Sequence, residues 1–146
     1  MDPKELIHRL DDDRIVEAIR RAESRSRGEI RVHVTGEPVG DPEGAAAETF
    51  AKLGMNATAE RNGVLIYVSP RAQTFAIIGD QGVNQLVGES FWKEVATCMA
   101  EDFRARRFTE GILRAIERVG EVLTRHFPRV EGRVDKDELS DEVSRD

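Results

Sequence analysis

The chain has 146 residues, which is the size of one domain with room for one real core. A net charge of −6, with 34% of residues charged, argues against nucleic acid as the main partner and against adsorption to an anionic membrane, because both need clustered positive charge. Cys98 is the single cysteine, so no internal disulfide forms and a reducing compartment fits.

Taken in order, the first residues are charged from Asp2 onward and lack the apolar region of a secretory signal. Asp2-Pro3 pairs a cap with proline and predicts a short helical arm over residues 1–11. Asp11, Asp12 and Asp13 mark a new helix start, Ile15, Ile19 and Ala22 form its stripe, and Gly28 is the expected stop. Residues 29–35 alternate. Ile30, Val32 and Val34 point one way, with Arg31, His33 and Thr35 on the solvent side of a strand near the sheet edge. Asp41-Pro42 repeats the cap signal, and Ala46, Phe50 and Leu53 define a helix closed by Gly54.

Residues 61–83 hold the two strongest strand signals, 64–68 and 75–78. A five-residue connection containing Pro70 separates them. The reading is an antiparallel hairpin in mid-sheet, ending at the turn Gly79-Asp80-Gln81-Gly82. Strand, helix and strand over 29–68 form a βαβ unit, so the first two strands run parallel. A short helical turn follows at 83–87. Ser90 and Thr109 then cap two long helices, with Trp92, Val95, Met99 and Phe103 on one stripe and Ile112, Ile116, Val119 and Leu123 on the other. From residue 129 the chain is highly charged and poor in large apolar groups, which predicts a mobile tail over 129–146. The fold class is therefore α/β: a three-layer α/β/α sandwich around a small mixed sheet, with the domain over residues 12–128.

These strand directions bring Glu29, Glu60, Asn62 and Asp80 to one rim of the sheet. Carboxylate and amide oxygens converging there are hard ligands, suited to Ca²⁺ or Mg²⁺. The bland alternative is that Asp80 and Asn62 form side-chain turns and Glu60 is solvated. Cys98 and Arg104 match the spacing of cysteine phosphatases, but the intervening residues lack glycine, carry two acids and lie within a helical pattern. Cys98 therefore reads as a packing residue. His8, His33 and His126 fall in separate elements with no partner evident, and no glycine-rich phosphate loop or serine elbow appears. Arginines 104, 106 and 107 read as helix-end charge, or as a receiver for an acidic partner or an anion. No run reaches the roughly 18–20 apolar residues that cross a bilayer. The expectation is a cytoplasmic protein of bacterial type.

Three pieces in order carry a resemblance: Gly28-Glu29-Ile30-Arg31-Val32, Asn62-Gly63-Val64-Leu65-Ile66-Tyr67-Val68, and Ile77-Ile78-Gly79-Asp80-Gln81-Gly82. With Phe103, Phe108, Gly111 and His126-Phe127-Pro128, they make the chain resemble the TPM domain family over about residues 12 to 128. That family includes thylakoid-lumen proteins of photosystem II repair and a modulator of the levamisole receptor. The match is to its short, soluble bacterial branch. The resemblance implies a compact α/β/α sandwich. It implies two kinds of activity: acid phosphatase with calcium binding, as in plant relatives, or an accessory module for membrane complexes. Asp80 departs from the family's secreted branch, which tends to carry an uncharged or aromatic residue after the glycine. The expected function is a non-catalytic interaction module with a protein partner. The alternative is a divalent-metal-assisted phosphatase using Asp80 with Glu60, Asn62 or Glu29.

Overall fold

The computed structural model of the protein describes residues 11–130 and 141–146. The expected N-terminal arm, apart from Asp11, and residues 131–140 of the expected tail lie outside these. Helix α1 is Asp12–Glu23. Asp11 caps it, its carboxylate accepting from the Arg14 N–H at 3.2 Å. The helix stops short of Gly28, because residues 25–27 turn their backbone to the chain after the last helix. Ser26 bridges Pro128, and the Arg27 N–H donates to the Phe127 carbonyl at 2.7 Å.

Strand β1 (Glu29–Val34) leads to α2 (Pro42–Lys52), which Asp41 caps by accepting from the Gly44 N–H. The hairpin follows as β2 (Gly63–Ser69) and β3 (Thr74–Gly79). A one-turn helix, α3 (Gln81–Asn84), leads to α4 (Glu89–Arg104) and α5 (Phe108–His126). Helix α4 begins one residue before Ser90, after Gly88. Thr109 lies inside α5, where its hydroxyl accepts from the Asp11 N–H at 3.1 Å and so ties α5 to the start of α1.

The sheet order is β3-β2-β1-β4, where β4 is Ser144–Arg145. β1 and β2 pair in parallel, Glu29 opposite Gly63, and β2 and β3 pair antiparallel, Val64 opposite Gly79. β2 is buried along its whole length, as a central strand between two layers must be. On one face Ile30, Val32, Val64 and Ile66 pack with Ile15, Ile19, Met99, Ile112, Ile116 and Leu123 from α1, α4 and α5. On the other, Leu65, Tyr67 and Ala76 pack with Ala46, Phe50 and Met55 from α2 and the turn after it. Each fully buried Ile or Leu contributes about 1.5–3 kcal/mol, so these two faces hold the three layers together.

Two local expectations are corrected. His33 and Thr35, expected on the solvent side, are 4% and 2% exposed. The second layer reaches over that face of β1, and His33 stacks on Tyr67 with ring centroids 5.4 Å apart. β1 is also not an edge strand. The end of the predicted mobile tail runs parallel to it, His33 opposite Ser144 and Val34 opposite Arg145. Charge does not prevent this docking, because the segment's charged groups find partners. Arg145 pairs with Asp12 at 2.7 Å, Asp141 lies 3.6 Å from Arg20, and the Asp146 carboxylate lies 3.0 Å from His33 Nε2. Val143 packs against the core beside them.

Candidate functional site

The rim expected from strand direction exists in the backbone. The Glu29 N–H donates to the Asn62 carbonyl at 3.3 Å, and the Asp80 N–H to the Gly63 carbonyl at 2.9 Å. The ends of β1, β2 and β3 therefore meet where the sequence placed them. The two glycines of the turn are fixed by close approach. A Cβ on Gly79 would stand 2.6 Å from the Trp92 ring, and one on Gly82 would stand 2.5 Å from the Arg61 carbonyl oxygen. Gly82 also donates its N–H to that carbonyl at 2.9 Å.

The side chains are arranged differently from the expected ligand cluster. Asp80, 7% exposed, accepts from Arg61 Nε at 2.7 Å and Nη2 at 3.0 Å. Its Oδ1 also accepts from the Gln81 N–H at 2.8 Å, at the start of α3. The bidentate fork is the strong form of this pairing, and the hydrogen bond to Asp80 raises the Arg61 pKa above its usual value. Arg61 holds a left-handed φ of 52°, which turns the chain between Glu60 and Asn62.

Glu60 is paired in the same way. Its two carboxylate oxygens accept from Arg27 Nε at 2.9 Å and Nη2 at 3.0 Å, and Arg27 Nη1 donates to the Pro128 carbonyl. Asn62, 1% exposed, donates from Nδ2 to the Arg27 carbonyl at 2.9 Å. Arg27 thus joins Glu60, Asn62 and the chain after α5 into one network. Glu29 is buried, and its side chain lines a different recess with Glu23, Arg129 and Asp141. In that recess Glu23 accepts from the Ile30 N–H at 2.9 Å. Burial, the hydrogen bond with Asp141 and the negative charge of Glu29 together push the Glu23 pKa up to about 11. Burial is the largest of these causes, and it holds the Glu23 carboxyl well above the ordinary glutamate range.

The structure thus brings Asp80, Glu60 and Asn62 to one rim, supplies guanidiniums to both carboxylates, and turns Glu29 elsewhere. Among the described residues no group of three or more His, Cys, Asp or Glu side chains is placed to hold a metal ion. Sequence reasoning missed Arg27 and Arg61 as members of the rim. The available signal was the run Glu60-Arg61-Asn62 at the mouth of the hairpin. Cys98 lies mid-helix in α4 and is partly buried.

A mixed four-stranded sheet between two helical layers, with a Gly-Asp-Gln-Gly turn at its rim, defines a small α/β/α domain of one particular class. The TPM domain model matches residues 1–122, and the chain belongs to the TPM domain family. It is 36% identical to the BA42 protein of the psychrophilic bacterium Bizionia argentinensis, whose NMR structure superposes with a TM-score of 0.84 over 94% of this chain and 96% of that one. The fold also matches the N-terminal domain of the Corynebacterium glutamicum protein cg2496, with a TM-score of 0.59 and 16% identity over 76% of this chain and 70% of that one. A third match is the N-terminal domain of a P. gingivalis protein, with a TM-score of 0.62 and 20% identity over 79% of this chain and 76% of that one. No curated protein matches the chain. No described helix is long and apolar enough to cross a membrane.

Proposed function

We propose that this protein is a non-catalytic interaction module, cytoplasmic, that engages a protein partner. One observation carries the reading. Both carboxylates of the hairpin rim are held in bidentate arginine pairs, Arg61 with Asp80 and Arg27 with Glu60. A catalytic carboxylate must meet substrate, metal or a transferring proton, whereas each of these two faces a guanidinium that fixes its direction and holds the shape of the rim. The lone cysteine fits a reducing compartment.

One feature favours a second reading, divalent-metal-assisted hydrolysis of phosphomonoesters. The Arg61 side chain is 40% exposed, so a guanidinium released from Asp80 would have room to turn outward into solvent. That movement would present the Asp80 carboxylate to a Ca²⁺ or Mg²⁺ ion and leave a guanidinium nearby for phosphate. Glu60 and Asn62 are the neighbours that would complete such a site, and Glu29 is the residue its side-chain direction disfavours.

The two readings separate in one experiment. Amide spectra are recorded during titration with Ca²⁺ and Mg²⁺, and p-nitrophenyl phosphate turnover is assayed with the wild type and Asp80→Ala. The interaction-module reading expects no saturable shifts at residues 60–62 and 79–82 and no turnover. Turnover that disappears in Asp80→Ala overturns it in favour of the hydrolase.

A further inference from the structure

At the end of the sheet away from the rim, the β2–β3 turn and the α4–α5 junction enclose a cavity of about 450 Å³. Its floor is aromatic. Phe75 meets Phe103 edge to face with centroids 5.7 Å apart, and Phe103 meets Phe108 at 5.6 Å. All three rings pack on the core and remain only partly buried. Arg104 and Arg106 stand at the wall, both exposed. Among the described residues neither guanidinium has an acidic partner, whereas Arg107, beside them, lies 3.4 Å from the buried Asp102.

The backbone at Arg106 points the same way. Helix α4 ends in a Schellman turn: the Arg106 N–H donates to the Phe103 carbonyl at 3.0 Å and the Arg107 N–H to the Asp102 carbonyl at 2.8 Å. The left-handed position of that turn favours glycine, yet here it is Arg106, with φ 61°. Gln73, on the opposite wall, is also left-handed at φ 55°. Two non-glycine residues with left-handed backbones and long polar side chains line one cavity, which is a reason to look for a ligand.

We propose that this cavity binds a small organic carboxylate with an aromatic body, its ring on Phe75, Phe103 and Phe108 and its carboxylate on Arg104 and Arg106. The volume lies in the range of small-molecule sites, and apolar walls with a few convergent polar groups are their usual chemistry. A planar carboxylate matches the guanidinium fork. The negative C-terminal end of α4 and the positive N-terminal end of α5 meet at this junction and offset each other, so the attraction for an anion is assigned to the two arginines. Binding is therefore expected to depend on both side chains and to weaken with salt.

The test is an amide-shift titration of the full chain with 1-naphthoate, with neutral 1-naphthamide as control. The expected result is saturable shifts at residues 73–75 and 103–108 below about 1 mM, with the amide at least about tenfold weaker. Arg106→Gly removes the side chain and relaxes the left-handed backbone, so it keeps the fold while weakening 1-naphthoate about tenfold or more. Arg104→Gln, outside the strained position, is the second variant and weakens binding in the same direction. Absence of saturation overturns the proposal, as do equal affinity for the amide, shifts confined to the Asp80 rim, or full affinity in both variants. None of these outcomes bears on whether the rim is catalytic.

Discussion

Gly82→Ala adds one methyl group inside α3, where that helix presses on the mouth of the hairpin. The added carbon would sit 2.5 Å from the Arg61 carbonyl oxygen and closer still to that of Glu60. Ordinary carbon contacts lie near 3.5 Å, so the 60–61 backbone must retreat by roughly 1 Å. That retreat strains the left-handed Arg61 and lengthens the hydrogen bond from the Gly82 N–H to the Arg61 carbonyl, now 2.9 Å. Overpacking of this kind costs about 1–3 kcal/mol, and a weakened backbone hydrogen bond adds about 1 kcal/mol. For a domain of this length each kcal/mol lowers Tm by about 3 °C, so a loss of about 6–12 °C is expected. Calorimetry of Gly82→Ala beside Gly40→Ala checks it, since a Cβ at Gly40 meets nothing within 4 Å. If Gly82→Ala melts within about 1 °C of the wild type while the fold is intact, the close approach does not constrain the turn as argued.

Three further outcomes follow from the ion pairs. The folded-state pKa of Glu23 lies far above its unfolded value, so folding takes up a proton, and stability falls as pH rises above the ordinary Glu range, by at most about 1.4 kcal/mol per unit. Glu23→Gln keeps the acceptor for Ile30 and supplies a permanent donor toward Asp141. Its urea midpoint should change less than that of the wild type between pH 5 and pH 8, and parallel profiles would contradict the raised Glu23 pKa. Arg61→Gly suits the left-handed backbone but strips the guanidinium from Asp80, so Tm should drop; adding Asp80→Asn should recover part of the loss, and simple additivity of the two changes would sink the pairing argument. For Asp146, burial pushes the pKa up, but hydrogen bonds from Thr35 and His33 and the nearby charges of His33 and Lys52 outweigh it and hold the pKa below the usual range. Its contribution is present above the ordinary Asp range and fades as pH falls through the lowered value. Protection factors at residues 144–146, taken relative to the intrinsic exchange rate at each pH, should therefore fall in acid, and in Asp146→Asn at neutral pH.

Local chemistry made much of the fold legible. Asp11 and Asp41 announce their helices because a carboxylate before a helix accepts a backbone N–H, and both do so. The hairpin is readable because two β-branched runs flank a proline-containing turn, and its pairing fixes where Asn62 and Asp80 meet. Side-chain direction at the rim was not readable. Glu60 finds Arg27 across 33 residues, and nothing local announces such a pair. His33 looked solvent-facing because alternation assigns every second residue to water. That inference fails when helices cover both faces of a sheet. The tail looked mobile because its composition offers little apolar area. Its docking draws instead on the backbone edge of β1 and on charges spread over α1 and β1.

The pairing of β4 with β1 sets an order of events during synthesis. His33 and Ser144 are 111 residues apart. At 5–20 residues per second, β1 leaves the ribosome on the order of 5–20 s before its outer neighbour exists. Throughout that interval β2 and the helices can assemble while the outer edge of β1 keeps its backbone donors and acceptors open to any extended chain nearby. Among the described residues β4 is thus a late cover over the His33–Val34 end of that edge. The nascent protein is most vulnerable to edge-to-edge association in the seconds before that cover forms.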